Sequence, residues 1–69
     1  MKKYVLKLTR GDEIKILAVY DDKPAAMAAG AECRKTISRN AGLLAVIEAD
    51  FDDKNQMIRT SYRLHKIFQ

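Results

Sequence analysis

The chain has 69 residues, a net charge of +4, one cysteine and one histidine. A chain of this length forms a single domain, residues 1–69, and buries only about 60% of its unfolded surface, so its core is thin. A lone cysteine excludes an internal disulfide, one Cys with one His excludes a zinc site of preferred ligands, and 48% hydrophobic residues exclude disorder.

The apolar runs fall far short of the roughly 20 residues that span a bilayer. Met1-Lys2-Lys3 leads into alternating residues, not into the apolar core of a signal peptide. A cytoplasmic protein without membrane contact is the resulting expectation, and no motif asks for a cofactor.

Lys3 to Leu8 alternates, with Tyr4, Leu6 and Leu8 on one face and Lys3, Val5 and Lys7 on the other. That period of two predicts a half-buried strand. Thr9-Arg10-Gly11-Asp12 predicts a hairpin turn, with Gly11 free to take a positive φ. Its Arg-Gly-Asp triplet lacks the secretory context that an adhesion motif needs. Glu13 to Tyr20 predicts a second strand whose two faces, Ile14-Ile16-Ala18-Tyr20 and Leu17-Val19, are both apolar. Pattern alone leaves open which face is buried, because one residue of register slip exchanges them.

Asp21 to Asn40 carries the helix signal. Asp21 and Asp22 precede Pro24, which suits a capped helix start. Arg34, Lys35 and Arg39 suit the far end of the helix dipole, and Asn40 and Gly42 suit a stop. Ala26, Gly30, Cys33 and Ile37 fall on one face. This stripe is small in volume, which predicts a helix lying close on a sheet that supplies the bulk.

Leu43 to Phe51 predicts a third strand and Met57 to Phe68 a fourth, joined by the polar turn Asp52-Asp53-Lys54-Asn55. A four-residue turn would set Ile58, Thr60, Tyr62 and Leu64 beside Ala49, Ile47, Ala45 and Leu43. The order is β-β-α-β-β. The expected fold is α+β with two layers, a four-stranded sheet with one helix packed on one face. The expected strand order is β-grasp-like, with the long fourth strand parallel to the first in the middle. The other order considered sets the second and third strands together.

Four features could carry function. With the first and fourth strands adjacent, Lys3, Lys7, Arg59, Arg63 and His65 would share the uncovered face, with Lys2 and Lys66 at its margin. Such a stripe could track a phosphate backbone, though single-strand binding usually adds aromatic platforms. The acidic turn matches the start of a calcium loop at Asp50 and Asp52, then departs from it at Lys54, Asn55 and Ser61. Cys33 and His65 could form a nucleophile pair, but their predicted places lie on opposite sides of the sheet, so no enzyme is expected. Finally, an open sheet has two free edges, and the second strand is apolar on both faces. The expected function is a non-enzymatic protein-interaction or self-associating module, partnered by another protein or by a second copy. Nucleic-acid binding through the basic face is the alternative.

The segments VYDDKPAAMAAG, NAGLLAVIEADFDD and SYRLHKIF resemble small uncharacterised proteins encoded on conjugative and other mobile elements of gut bacteria. The resemblance covers most of the chain and rests on structural segments. It implies a small accessory protein and transfers no functional residue.

Overall fold

The computed structural model describes residues 1–68, with the side chains of Arg39 and Arg59 outside the described set. The elements are β1 (Lys2–Arg10), β2 (Glu13–Tyr20), α1 (Lys23–Thr36), a 3-10 turn (Arg39–Ala41), β3 (Leu43–Phe51) and β4 (Met57–Phe68). The fold is a small α+β domain. Among the described residues no helix is long and apolar enough to cross a membrane.

Local chemistry sets the element boundaries. Asp22 caps α1 by accepting a 2.8 Å bond from the Ala25 N–H. The helix ends at Thr36, earlier than the basic residues alone suggest, because Ile37 returns to extended backbone. The Ile37 N–H and the Thr36 hydroxyl both donate to the Cys33 carbonyl at this end. The two hairpin turns use left-handed residues, Gly11 at φ 58° and Asn55 at φ 62°. Gly42 leads into β3 at φ 140°, where a Cβ would stand 2.6 Å from the Thr9 carbonyl oxygen.

The sheet runs β2-β1-β3-β4, and every neighbouring pair is antiparallel. This corrects the expected order: β1 lies beside β3, not β4, and β4 is an edge. The reason is visible in β3. Leu44, Val46 and Glu48 are buried on one side and Ala45, Ile47, Ala49 and Phe51 on the other. A strand buried on both sides belongs in the middle of a sheet, whatever the length of its neighbour. β4, with several cations and no acids, suits an edge. β2 and β3 flank β1 and run parallel, so α1 serves as the crossover that parallel strands require.

Two clusters form the core. On the helix side Leu6, Ala26, Leu44, Val46 and Phe68 pack together, joined by half-buried Tyr4, Leu8, Tyr20, Met27, Ala29 and Cys33. Gly30 lies directly against the Phe68 ring, where a Cβ would come within 2.4 Å of two ring carbons. The small stripe of α1 is thus a seat for Phe68. On the opposite face Val5, Ile47, Ala49 and Phe51 form a second cluster with Met57.

Among the described residues no helix covers that second cluster, yet Val5 and Ala49 are 0% exposed. The sheet itself provides the cover by curling. β2 carries a bulge at Leu17, opposite the Leu6–Lys7 step. β4 has an irregularity at His65 and a larger one across residues 59–62. Bulges bend strands and increase their twist. The Ser61 hydroxyl stitches the larger one, accepting from the Asp50 N–H at 2.8 Å and donating to the Ile58 carbonyl at 2.6 Å. These bulges also correct the expected β3–β4 register: Ile58 pairs with Asp50, and Leu64 pairs with Ile47.

Gly30→Ala tests the seat of the helix. Alanine ordinarily favours a helix by about 1 kcal/mol over glycine, but overpacking costs about 1–3 kcal/mol. The expected result in urea unfolding is a net loss of about 1 kcal/mol. Adding Phe68→Leu, which clears the ring, should reduce the penalty of the alanine.

Candidate interaction face

The pairing registers define what the face opposite the helix presents. One row across all four strands reads Val19, Val5, Ile47, Leu64. The next reads Ile16, Lys7, Ala45, Ile67, and a third reads Ile14, Thr9, Leu43. The inner members of the first row are buried, while the outer members, on the edge strands, stay open. Ile14 is 62% exposed and Leu64 57%, and Ile16, Val19, Leu43 and Ile67 are exposed as well.

Ile14 and Ile16 of β2 share a cleft of about 430 Å³ with Gln56, Met57 and Tyr62. In a flat sheet β2 and β4 lie three strand spacings apart, about 14 Å. The start of β2 pairs with the end of β1, whereas the start of β4 pairs with the end of β3, so the shared cleft joins diagonally opposite corners. The twist of the sheet brings these corners together over the outer face. The resulting surface is a concave, mostly apolar trough.

Lys3 closes one end of the trough. Its ammonium reaches 3.5 Å from the Asn55 side-chain oxygen and 4.0 Å from an Asp21 carboxylate oxygen, and lies 5.4 Å from the Phe51 ring centre. Its side chain is only 18% exposed. It therefore ties the β3–β4 turn to the end of β2 and is poorly placed to meet phosphate. Lys7 stands half-buried in the middle of the second row, between Ile16 and Ala45.

The five basic residues expected on one face do not assemble there. Arg63 pairs opposite Glu48, on the helix side of the sheet. His65 also turns to that side. It bonds Glu48 at 2.9 Å and sets its ring 5.6 Å from the ring of Tyr4. The irregularity in β4 at this residue breaks the alternation that had placed it outside. Arg59 belongs to β4, but its side chain lies outside the described set. Lys3 and Lys7 remain on the outer face, separated from Arg63 and His65.

The turn of His65 creates a polar cluster at the rim of the helix-side core. Glu48 is 9% exposed and also meets the Lys2 ammonium at 3.3 Å. The His65 hydrogen bond holds the Glu48 carboxyl below its ordinary value of 4.5; burial opposes this, and Lys2 adds to it. Sequence pattern missed this cluster, because Glu48 reads as a surface carboxylate in a run of acids.

The Asp52 carboxylate accepts from the Lys54 and Gln56 N–H groups, both at 2.9 Å, and so builds its own turn. Among the described residues no three His, Cys, Asp or Glu side chains converge as metal ligands. Cys33 is half-buried against the helix-side core, and His65 turns to the same side, which corrects the expectation that the sheet separates the two. Comparison with protein-family models, curated proteins and solved structures finds no match for the chain.

The Glu48 cluster predicts an acid limb in stability. The folded carboxyl titrates below the unfolded one, so its contribution is present above the unfolded pKa and is lost as pH falls through the folded pKa. Urea unfolding at about pH 7 and about pH 3 should show the native protein losing stability between them. Glu48→Gln, which cannot titrate, should start lower and lose less over the same interval.

Proposed function

We propose that the chain is a non-enzymatic protein-interaction module that binds through its trough-shaped outer sheet face. One observation carries this reading: the rows of apolar side chains opposite the helix end in open Ile14, Ile16, Val19, Leu64 and Ile67 on the two edge strands. Contiguous apolar surface of this kind marks contact sites in soluble proteins. Both edge strands also offer unpaired backbone groups, which extended segments can bind. Nucleic-acid binding through Lys3, Lys7, Arg59, Arg63 and His65 has less support. It needs cations gathered on one face, and those described are divided between two.

Leu64→Lys tests the proposal. Leu64 is open and pairs with Ile47 on the outer face, so the substitution places a charge in the trough and leaves the core intact. Affinity capture from the native host, with and without nuclease, should recover a protein partner or further copies of the chain regardless of nuclease. The variant, folded by circular dichroism, should lose that partner. Partners recovered only without nuclease, or partners indifferent to the variant, would count against the outer face.

A further inference from the structure

We infer that the occupant of the outer face is a second copy of this chain, set so that β4 of each copy pairs with β2 of the other. The inference rests on the interaction role proposed above and names its partner. Three independent features lead to it.

The first is strand direction. β1 is antiparallel to β2 and β3, and β3 to β4, so the two edge strands run in opposite directions. A second copy rotated by half a turn about an axis along the strands keeps every strand direction. Its β2 then lies antiparallel beside β4 of the first copy, and the same pairing closes the other seam. Eight antiparallel strands enclose an interior that side chains can just fill.

The second is charge. β2 and its flanks hold Asp12, Glu13, Asp21 and Asp22 against one cation, Lys15. β4 holds Arg63 and Lys66 among its residues, and no acid. Pairing β4 with β4 would set like charges together, and pairing β2 with β2 would bring acidic ends together. Pairing β2 with β4 sets opposite charges along both seams. Glu13 pairs with Arg10 and Lys66 with Val46, so both stand on the helix side of their sheets, outside the enclosed trough.

The third is area. Ile14, Ile16, Val19, Leu43, Leu64 and Ile67 leave on the order of 500 Å² of apolar surface open. Two edges add to this, approaching the roughly 800 Å² that each partner buries in a standard interface. Lys7 is the one charge in the three rows, and its long stem can carry the ammonium toward the rim.

The test is a charge exchange read by analytical ultracentrifugation. The native chain should sediment as a dimer. Glu13→Lys alone and Lys66→Glu alone should each weaken the dimer by about tenfold or more, since each sets like charges on both seams. An equal mixture of the two variants should regain native affinity, because both seams then carry opposite charges. Both residues are exposed, and circular dichroism would verify folding. A native chain that stays monomeric at its highest soluble concentration overturns the inference. So does a dimer indifferent to either substitution, or one that the mixture fails to restore. If the native chain is monomeric but captures another protein in a Leu64-dependent manner, this inference fails while the interaction role stands. If that capture is absent too, both fail.

Discussion

The whole structure depends on burying both faces of β3. Its nine residues point alternately up and down, and seven of the nine are buried, six of them apolar and the seventh Glu48. A strand of that kind must have neighbours on both sides and cover on both faces. β1 and β4 supply the neighbours, and α1 supplies one cover. Among the described residues no second layer supplies the other, and the sheet bends over its own outer face, using bulges in β2 and β4. The bending covers Val5, Ile47 and Ala49 but leaves the edge-strand members of the same rows in contact with solvent. The open trough is thus a direct consequence of building a two-faced central strand into a domain with one helix.

The helix side is completed by close approach instead of bulk. Phe68, near the end of β4, reaches under α1 because Gly30 has no Cβ to stop it. This draws the last part of an edge strand into the core, while residues 59–62 bulge away from β3. β4 therefore has two unlike halves. The irregularity at His65 supplies the remaining polar balance by giving the buried Glu48 a partner beside Lys2. A buried carboxylate without such partners would be costly.

Much of this was legible in the residues. The alternation of Tyr4, Leu6 and Leu8, the capped start of α1 at Asp22, and the left-handed turns at Gly11 and Asn55 all follow local rules that neighbours in sequence enforce. The small helical stripe correctly signalled close packing, though not its object, Phe68. The two apolar faces of β2 signalled an uncovered surface. The basic face failed as a pattern because alternation assumes an unbroken ladder. The β4 bulges change which side His65 takes, and no residue type in Arg59-Thr60-Ser61-Tyr62 announces a bulge.

The sequence by itself determined four strands, one helix, their order along the chain, and the conflict between apolar surface and available cover. These depend on periodicities and turn chemistry that act within a few residues. Only the tertiary structure decided that β1 and β3 share the centre, that β4 bends, and that Glu48 and His65 meet. Those outcomes arise from competition among distant segments for the same burial. β3 holds the central place because both of its faces need cover, and β4, for all its length, is left at the edge.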